Sequence, residues 1–178
     1  MTVSQPVEKV TPLAEGLTVE RAYYPHDPSC TNGEAQTCTA IQSGKAGEMV
    51  DVRLTLTLPH DMYYLAVTDY IPAGAEILDT SLKTSQLGAG GEPTTQQTYD
   101  PRRPFEKGWG WWLFNPPQIY DDHIGWTANF LPAGSYQLTY TVVLLQAGQY
   151  RVLPARAWQL YFPEVQANTA GGTFEIKP

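Results

Sequence analysis

Apolar and polar residues alternate along most of this chain. In MVDVRLTLTL, Val50, Val52, Leu54, Leu56 and Leu58 fall on one side of an extended segment, and Asp51, Arg53, Thr55 and Thr57 on the other. A period of two held over that length predicts a half-buried strand of roughly 33 Å. SYQLTYTVVLL repeats the pattern with Tyr136, Leu138, Tyr140, Val142 and Leu144 against Gln137, Thr139 and Thr141. YYLAVTDYI sets Tyr63, Leu65 and Val67 against Tyr64, Ala66 and Thr68, and HIGWTANF carries Ile124, Trp126, Ala128 and Phe130 on one face. GLTVERAYY, GQYRVL and GTFEIK are shorter cases of the same kind.

No window shows the 3.6-residue period of an amphipathic helix. The 15 Pro and 15 Gly spread along the chain would interrupt one. Two of these interruptions share a tetrad, Ile71–Pro72–Ala73–Gly74 and Leu131–Pro132–Ala133–Gly134, each preceded by an aromatic residue. Pro at the second and Gly at the fourth position of a β-turn are favoured pairings, so both tetrads predict a turn at a strand end. Many short strands separated by turn residues predict an all-β fold, an antiparallel β-sandwich with long loops. Residues 1–15 read as a linker and 16–178 as one domain. The Gly/Pro-rich polar stretch QLGAGGEPTTQQTYDPRRP is too long for a simple connection.

The 178 residues and a hydrophobic fraction of 42% suit a globular domain with a sizeable core. A net charge of −7, with no Lys/Arg cluster, argues against nucleic acid or an anionic membrane as partner. No apolar run reaches the roughly 18 residues of a membrane helix, so no direct membrane insertion is expected. The opening MTVSQPVEKV has neither the basic nor the apolar region of a signal peptide. The expectation is then a cytosolic protein, or a piece of a longer chain whose leader lies elsewhere. Cys30 and Cys38, the two cysteines, favour the second. They flank a polar loop that a disulfide would close, contributing about 2.5 kcal/mol in a chain-entropy account; the other reading is two free surface thiols. A disulfide implies an extracytoplasmic compartment. A zinc site does not fit the spacing.

Three clusters are candidates for chemistry or recognition. Trp109, Trp111 and Trp112, with Phe114, can cover one end of the core, face a neighbouring domain, or stack on glycans. Asp121, Asp122 and His123 can bind a metal or move protons, but adjacent residues of a strand point to opposite faces, so a structural or solvated role is expected and no metal. PARAWQLYFPEV is apolar and aromatic where a polar hairpin loop would be ordinary, so Leu160, Tyr161 and Phe162 either fold under the sandwich or are offered to a partner. No nucleophile elbow, zinc-protease motif or phosphate loop is present, and the three His lie in different segments. The chain reads as a non-enzyme without a cofactor.

Taken together, four ordered blocks resemble the C-terminal, macroglobulin-like domain of bacterial alpha-2-macroglobulins, over roughly residues 16–178. Asp69, Ile71 to Gly74 and Glu76 match the first block. Asp121 and Asp122 match the second, with His123 in place of Arg. Leu131 to Gly134 match the third. Pro154, Ala157, Tyr161, Pro163 and Glu164 match the last, with Leu160 in place of Met. The resemblance implies a macroglobulin-like β-sandwich from a large protease trap, periplasmic, envelope-anchored or secreted. In such a trap, bait cleavage by a protease makes a buried thioester available to the attacker. It also implies a partner, the thioester-bearing domain of the same parent chain, with Leu160 and Tyr161 as the shield over the thioester; the neighbouring Trp158 and Phe162 are expected as core supports. Proteases would be met through the full-length protein. This chain has no Cys-x-x-Gln, since its cysteines lie in CTNG and CTAI, so a thioester is expected on another domain, if the parent has one. A secreted carbohydrate-binding sandwich using Trp109, Trp111 and Trp112 is the alternative, and a structural surface-layer or adhesion domain a third reading.

Overall fold

The computed structural model describes residues 6–27, 30, 38–78 and 108–178. The Gly/Pro-rich stretch expected as a long loop, and the residues between the two cysteines, lie outside the described residues. Thirteen strands are found among the described residues. In chain order they are β1 (Leu13–Glu15), β2 (Thr18–Pro25), β3 (Ser43–Lys45), β4 (Met49–Leu58), β5 (Met62–Tyr70), β6 (Ala75–Ile77), β7 (Gln118–Ile119), β8 (His123–Leu131), β9 (Gly134–Leu144), β10 (Gly148–Val152), β11 (Arg156–Gln159), β12 (Gln166–Asn168) and β13 (Gly172–Lys177). Two single 3₁₀ turns, Val7–Lys9 and Trp111–Leu113, accompany them.

The fold is the β-sandwich that the alternation predicts. One layer has the order β1-β12-β11-β5-β8-β7, the other β2-β4-β9-β6, and a small sheet β10-β13-β3 joins them. All ladders are antiparallel except β13 with β3, which is parallel. The apolar sides of β4 and β9 are buried as expected, from Val50 to Leu58 and from Tyr136 to Leu144, against Leu65, Val67, Ile124, Trp126 and Ala128 of the facing layer. Trp126 meets Tyr140 across the interface at 5.8 Å. The small sheet adds Val152, Phe174 and Ile176 to the same core, where Phe174 packs on Tyr23 at 4.9 Å.

A buried polar staple links the layers. Arg21 of β2 donates to Asp69 of β5 at 2.6 Å, and the Tyr140 hydroxyl of β9 donates to the other carboxylate oxygen at 2.8 Å. Arg21 also donates to the carbonyls of Tyr70 and Leu153. Burial pushes the Asp69 carboxyl above its ordinary value, opposed by Arg21 and Tyr140. Burial also works against the Arg21 charge, but Asp69 holds the guanidinium protonated. Asp69, the first residue of the first block, is thus a tie between layers.

The structure departs from the sequence expectations in four places. The polar side of β4 is not solvated throughout. Asp51 and Arg53 are buried, Asp51 by His26 at 2.8 Å and Thr141 at 2.7 Å, and Arg53 by the Cys30 carbonyl at 3.2 Å and the Tyr24 ring at 4.6 Å. Within 1–15, expected as a linker, Leu13–Glu15 pairs with β12 as an edge strand, and Gly171 donates to the Val10 carbonyl. Its three side chains are exposed, so they carry no alternation to read. The Pro-Ala-Gly tetrads do end strands, but the first turn is shifted by one residue, with Ala75 donating to the Pro72 carbonyl. Gly74 is needed there because a Cβ would come within 2.4 Å of the Tyr150 ring. The second tetrad is held by side chains instead, Ala133 N donating to Asp61 and Tyr136 to the Pro132 carbonyl.

The fourth departure is an inversion of facing in β5 and β8. Along β5, Met62 is buried, Tyr63 and Tyr64 are both exposed, and burial resumes at Leu65. Along β8, Ala128 is buried, Asn129 and Phe130 are both exposed, and Leu131 is buried. So Tyr63 and Phe130 do not share the core face of their strands. The cause is the backbone of Tyr64, whose φ of 53° is left-handed. One residue out of the pleat reverses the facing beyond it. Because β8 inverts at the matching position, the pairing stays in register, with Met62 opposite Leu131, Tyr63 opposite Phe130 and Leu65 opposite Ala128.

Candidate functional site

The β5 inversion places Tyr63 and Tyr64 beside the bend between β11 and β12. Gln159 ends β11 and is buried, with its amide donating to the Tyr63 carbonyl at 3.3 Å. Leu160 N donates to the Tyr64 carbonyl at 2.9 Å. The bend then closes on itself: Val165 N donates to the Phe162 carbonyl, and Gln159 N to the Val165 carbonyl. Its backbone donors are satisfied at both ends, so its shape is set while its side chains point away from the core.

Those side chains are apolar and exposed. Leu160 is 49% exposed, Tyr161 69% and Phe162 58%. Tyr161 stands edge-on to Tyr64, ring centres 5.0 Å apart at 88°. Beside them, Tyr63 tilts against Phe130 at 4.9 Å. Six large apolar side chains are therefore presented by two paired strands and one bend, where a polar hairpin would bring none. Apolar surface gathered in one place on a folded domain marks a contact site. Phe162, expected as a core support, is instead part of this surface, since the bend ends before the chain re-enters the sheet. Trp158 is half-buried on the outer side of β11, under the Arg156 guanidinium at 5.6 Å.

The Trp cluster divides between core and surface. Phe114 is buried against Tyr136, and Trp111 packs on the core edge. Trp109 and Trp112 are about half exposed and meet edge to face at 5.2 Å and 81°, so they do not form one flat platform. Their segment lies tight on β9: Gln137 N donates to the Trp109 carbonyl, and a Cβ at Gly110, where φ is 74°, would meet the Tyr136 ring at 2.5 Å.

Asp121 and Asp122 sit in the turn between β7 and β8 rather than along a strand. The Asp122 carboxylate accepts from His123 Nδ1, and that hydrogen bond holds its carboxyl below the ordinary value. His123 stacks on Tyr120 at 4.4 Å, and Ile71 N donates to the Asp122 carbonyl. The second block thus ties its turn to the first tetrad. No group of three metal-ligating side chains occurs among the described residues, and none of their helices is long and apolar enough to cross a membrane. Cys30 and Cys38 are joined by a disulfide. Sequence reasoning missed Tyr63 and Phe130 as surface residues; alternation pointed both inward, and the left-handed residue that overturns it is a Tyr, not a Gly.

Comparison with known proteins bears on the family. The sequence model of the bacterial alpha-2-macroglobulin MG10 domain matches residues 16–164. Nothing among the curated proteins matches this chain. Among solved structures, Salmonella alpha-2-macroglobulin reacted with methylamine superposes with a TM-score of 0.69 at 20% identity, over 97% of this chain and 10% of that one. A native Escherichia coli alpha-2-macroglobulin fragment, from domain MG7 to the C-terminus, gives 0.69 at 18% identity, over 97% of this chain and 25% of the fragment. Trypsin-activated Escherichia coli alpha-2-macroglobulin gives 0.64 at 17% identity, over 95% of this chain and 11% of that one. At these identities the likeness is one of fold. This chain spans about a tenth of the length of the first of these relatives.

Proposed function

Because this chain belongs to the bacterial alpha-2-macroglobulin MG10 domain family, we propose that it is a non-catalytic interaction domain of an extracytoplasmic protease trap. Its bend between β11 and β12 packs against the thioester-bearing domain of the same parent chain. Leu160 and Tyr161 lie over the thioester and keep water and amines from it until a protease cuts the bait region. The observation that carries the reading is the exposure of Leu160 and Tyr161 on a bend held by backbone hydrogen bonds at both ends. A thioester persists in a dry pocket, and an aliphatic side chain beside an aromatic one suits its exclusion of water. Leu in place of Met keeps the apolar character with fewer accessible shapes. Proteases would be engaged by the parent protein rather than by this domain; the Escherichia coli relative is described as activated by trypsin.

The experiment is the inactivation of the parent protein by methylamine, with Tyr161→Ala against the unaltered chain. Faster inactivation is expected. An unchanged rate contradicts the shield. A second reading, glycan binding, has the exposure of Trp109 and Trp112 in its favour. Quenching of Trp fluorescence by soluble glycans, lost in Trp112→Ala, would support it; no response leaves the first reading alone.

A further inference from the structure

Tyr64 is unusual on three independent counts. It is the one non-glycine with a positive φ among the described residues, at 53°. A Cβ makes that conformation costly, and such backbone persists where the surroundings hold it. It lies within a nine-residue strand rather than in a turn. And both carbonyls at this point are taken by the bend, that of Tyr63 by Gln159 and that of Tyr64 by Leu160. Its ring, about half exposed, buries little on its own account and spends its contact on the edge of Tyr161.

We infer that Tyr64 is a positioning residue for Tyr161: its left-handed backbone anchors Leu160, and its ring braces Tyr161 upright for contact with the thioester-bearing domain. The inference rests on the shield reading above and adds a residue to it that no part of the four blocks contains. Tyr64 acts through Tyr161 and need not touch the partner.

The test compares methylamine inactivation of the parent protein carrying Tyr64→Gly, Tyr64→Phe, Tyr161→Ala and the double variant Tyr64→Gly/Tyr161→Ala, with thermal unfolding measured alongside. Glycine accepts the left-handed backbone without strain, so Tyr64→Gly removes the ring and leaves the fold. Its inactivation rate is expected to rise between about two- and ten-fold, the range an edge-to-face aromatic pair supplies, at an unchanged unfolding temperature. Tyr64→Phe keeps the ring and is expected to keep the rate. In the double variant, Tyr64→Gly is expected to add nothing to Tyr161→Ala. Multiplying effects would mean that Tyr64 acts independently of Tyr161, and would overturn the inference. So would a fast Tyr161→Ala beside an unchanged Tyr64→Gly, which leaves the shield standing. An unchanged Tyr161→Ala overturns both.

Discussion

Replacing Asp69 by Ala should be among the most damaging single changes to this domain. The side chain is fully buried, its partner Arg21 is 6% exposed, and the pair is 2.6 Å apart. Removing the carboxylate leaves a buried guanidinium with only the Tyr70 and Leu153 carbonyls, and leaves the Tyr140 hydroxyl without its acceptor. Breaking one side of a buried pair costs about 3–5 kcal/mol, against a total stability of about 5–15 kcal/mol for a domain. The unfolding midpoint should fall by roughly 10 °C. The cost arises from the stranded charge, so Arg21→Met together with Asp69→Leu should recover most of it. Urea denaturation of the single and double variants measures both. A loss below about 1 kcal/mol for Asp69→Ala, the value of an exposed pair, would refute the staple. So would a double variant no more stable than the single.

Other consequences follow from neighbouring groups. Burial raises the Tyr23 and Tyr140 hydroxyls above their ordinary value, and at Tyr140 the Asp69 carboxylate adds to this. Both are favoured neutral in the fold, so their contribution is fully present below the unfolded value of about 10 and is lost as pH rises beyond it. Alkaline unfolding, followed by tyrosinate absorbance, should release these two phenols together with loss of the fold rather than before it. Cys30→Ser with Cys38→Ser should cost about 2–3 kcal/mol in urea, with circular dichroism of the folded sandwich retained. Gly74→Ala places a Cβ 2.4 Å from the Tyr150 ring and should cost about 1–3 kcal/mol, reduced by adding Tyr150→Leu.

What could be read from the sequence follows from which forces act locally. β4 and β9 are central strands with one side against the core, so their burial follows the pleat, and Val50 to Leu58 and Tyr136 to Leu144 were legible. Asp51 and Arg53 were not, because His26, Tyr24, Thr141 and Cys30 cover them, and alternation says only that they oppose the core. β1 has three exposed side chains and is placed by backbone pairing with β12 and a Gln166 to Glu15 hydrogen bond, which leaves no apolar pattern. The turn after Ile71 was legible to within a residue, with Ala75 donating to the Pro72 carbonyl. At the candidate site, Leu160 and Tyr161 stood out as apolar residues in a bend. Tyr63 and Phe130 did not, because the facing reverses at Tyr64 and no glycine marks it.

A shield requires Tyr161 to be covered in the intact parent protein. Hydroxyl-radical footprinting of Tyr161 and Phe162, before and after bait cleavage by a protease, reads this directly. Tyr161 is predicted to be protected in the resting parent, exposed after cleavage, and exposed in this domain alone, where it is 69% accessible. Equal labelling of Tyr161 in the resting parent and in the separate domain would contradict the shield.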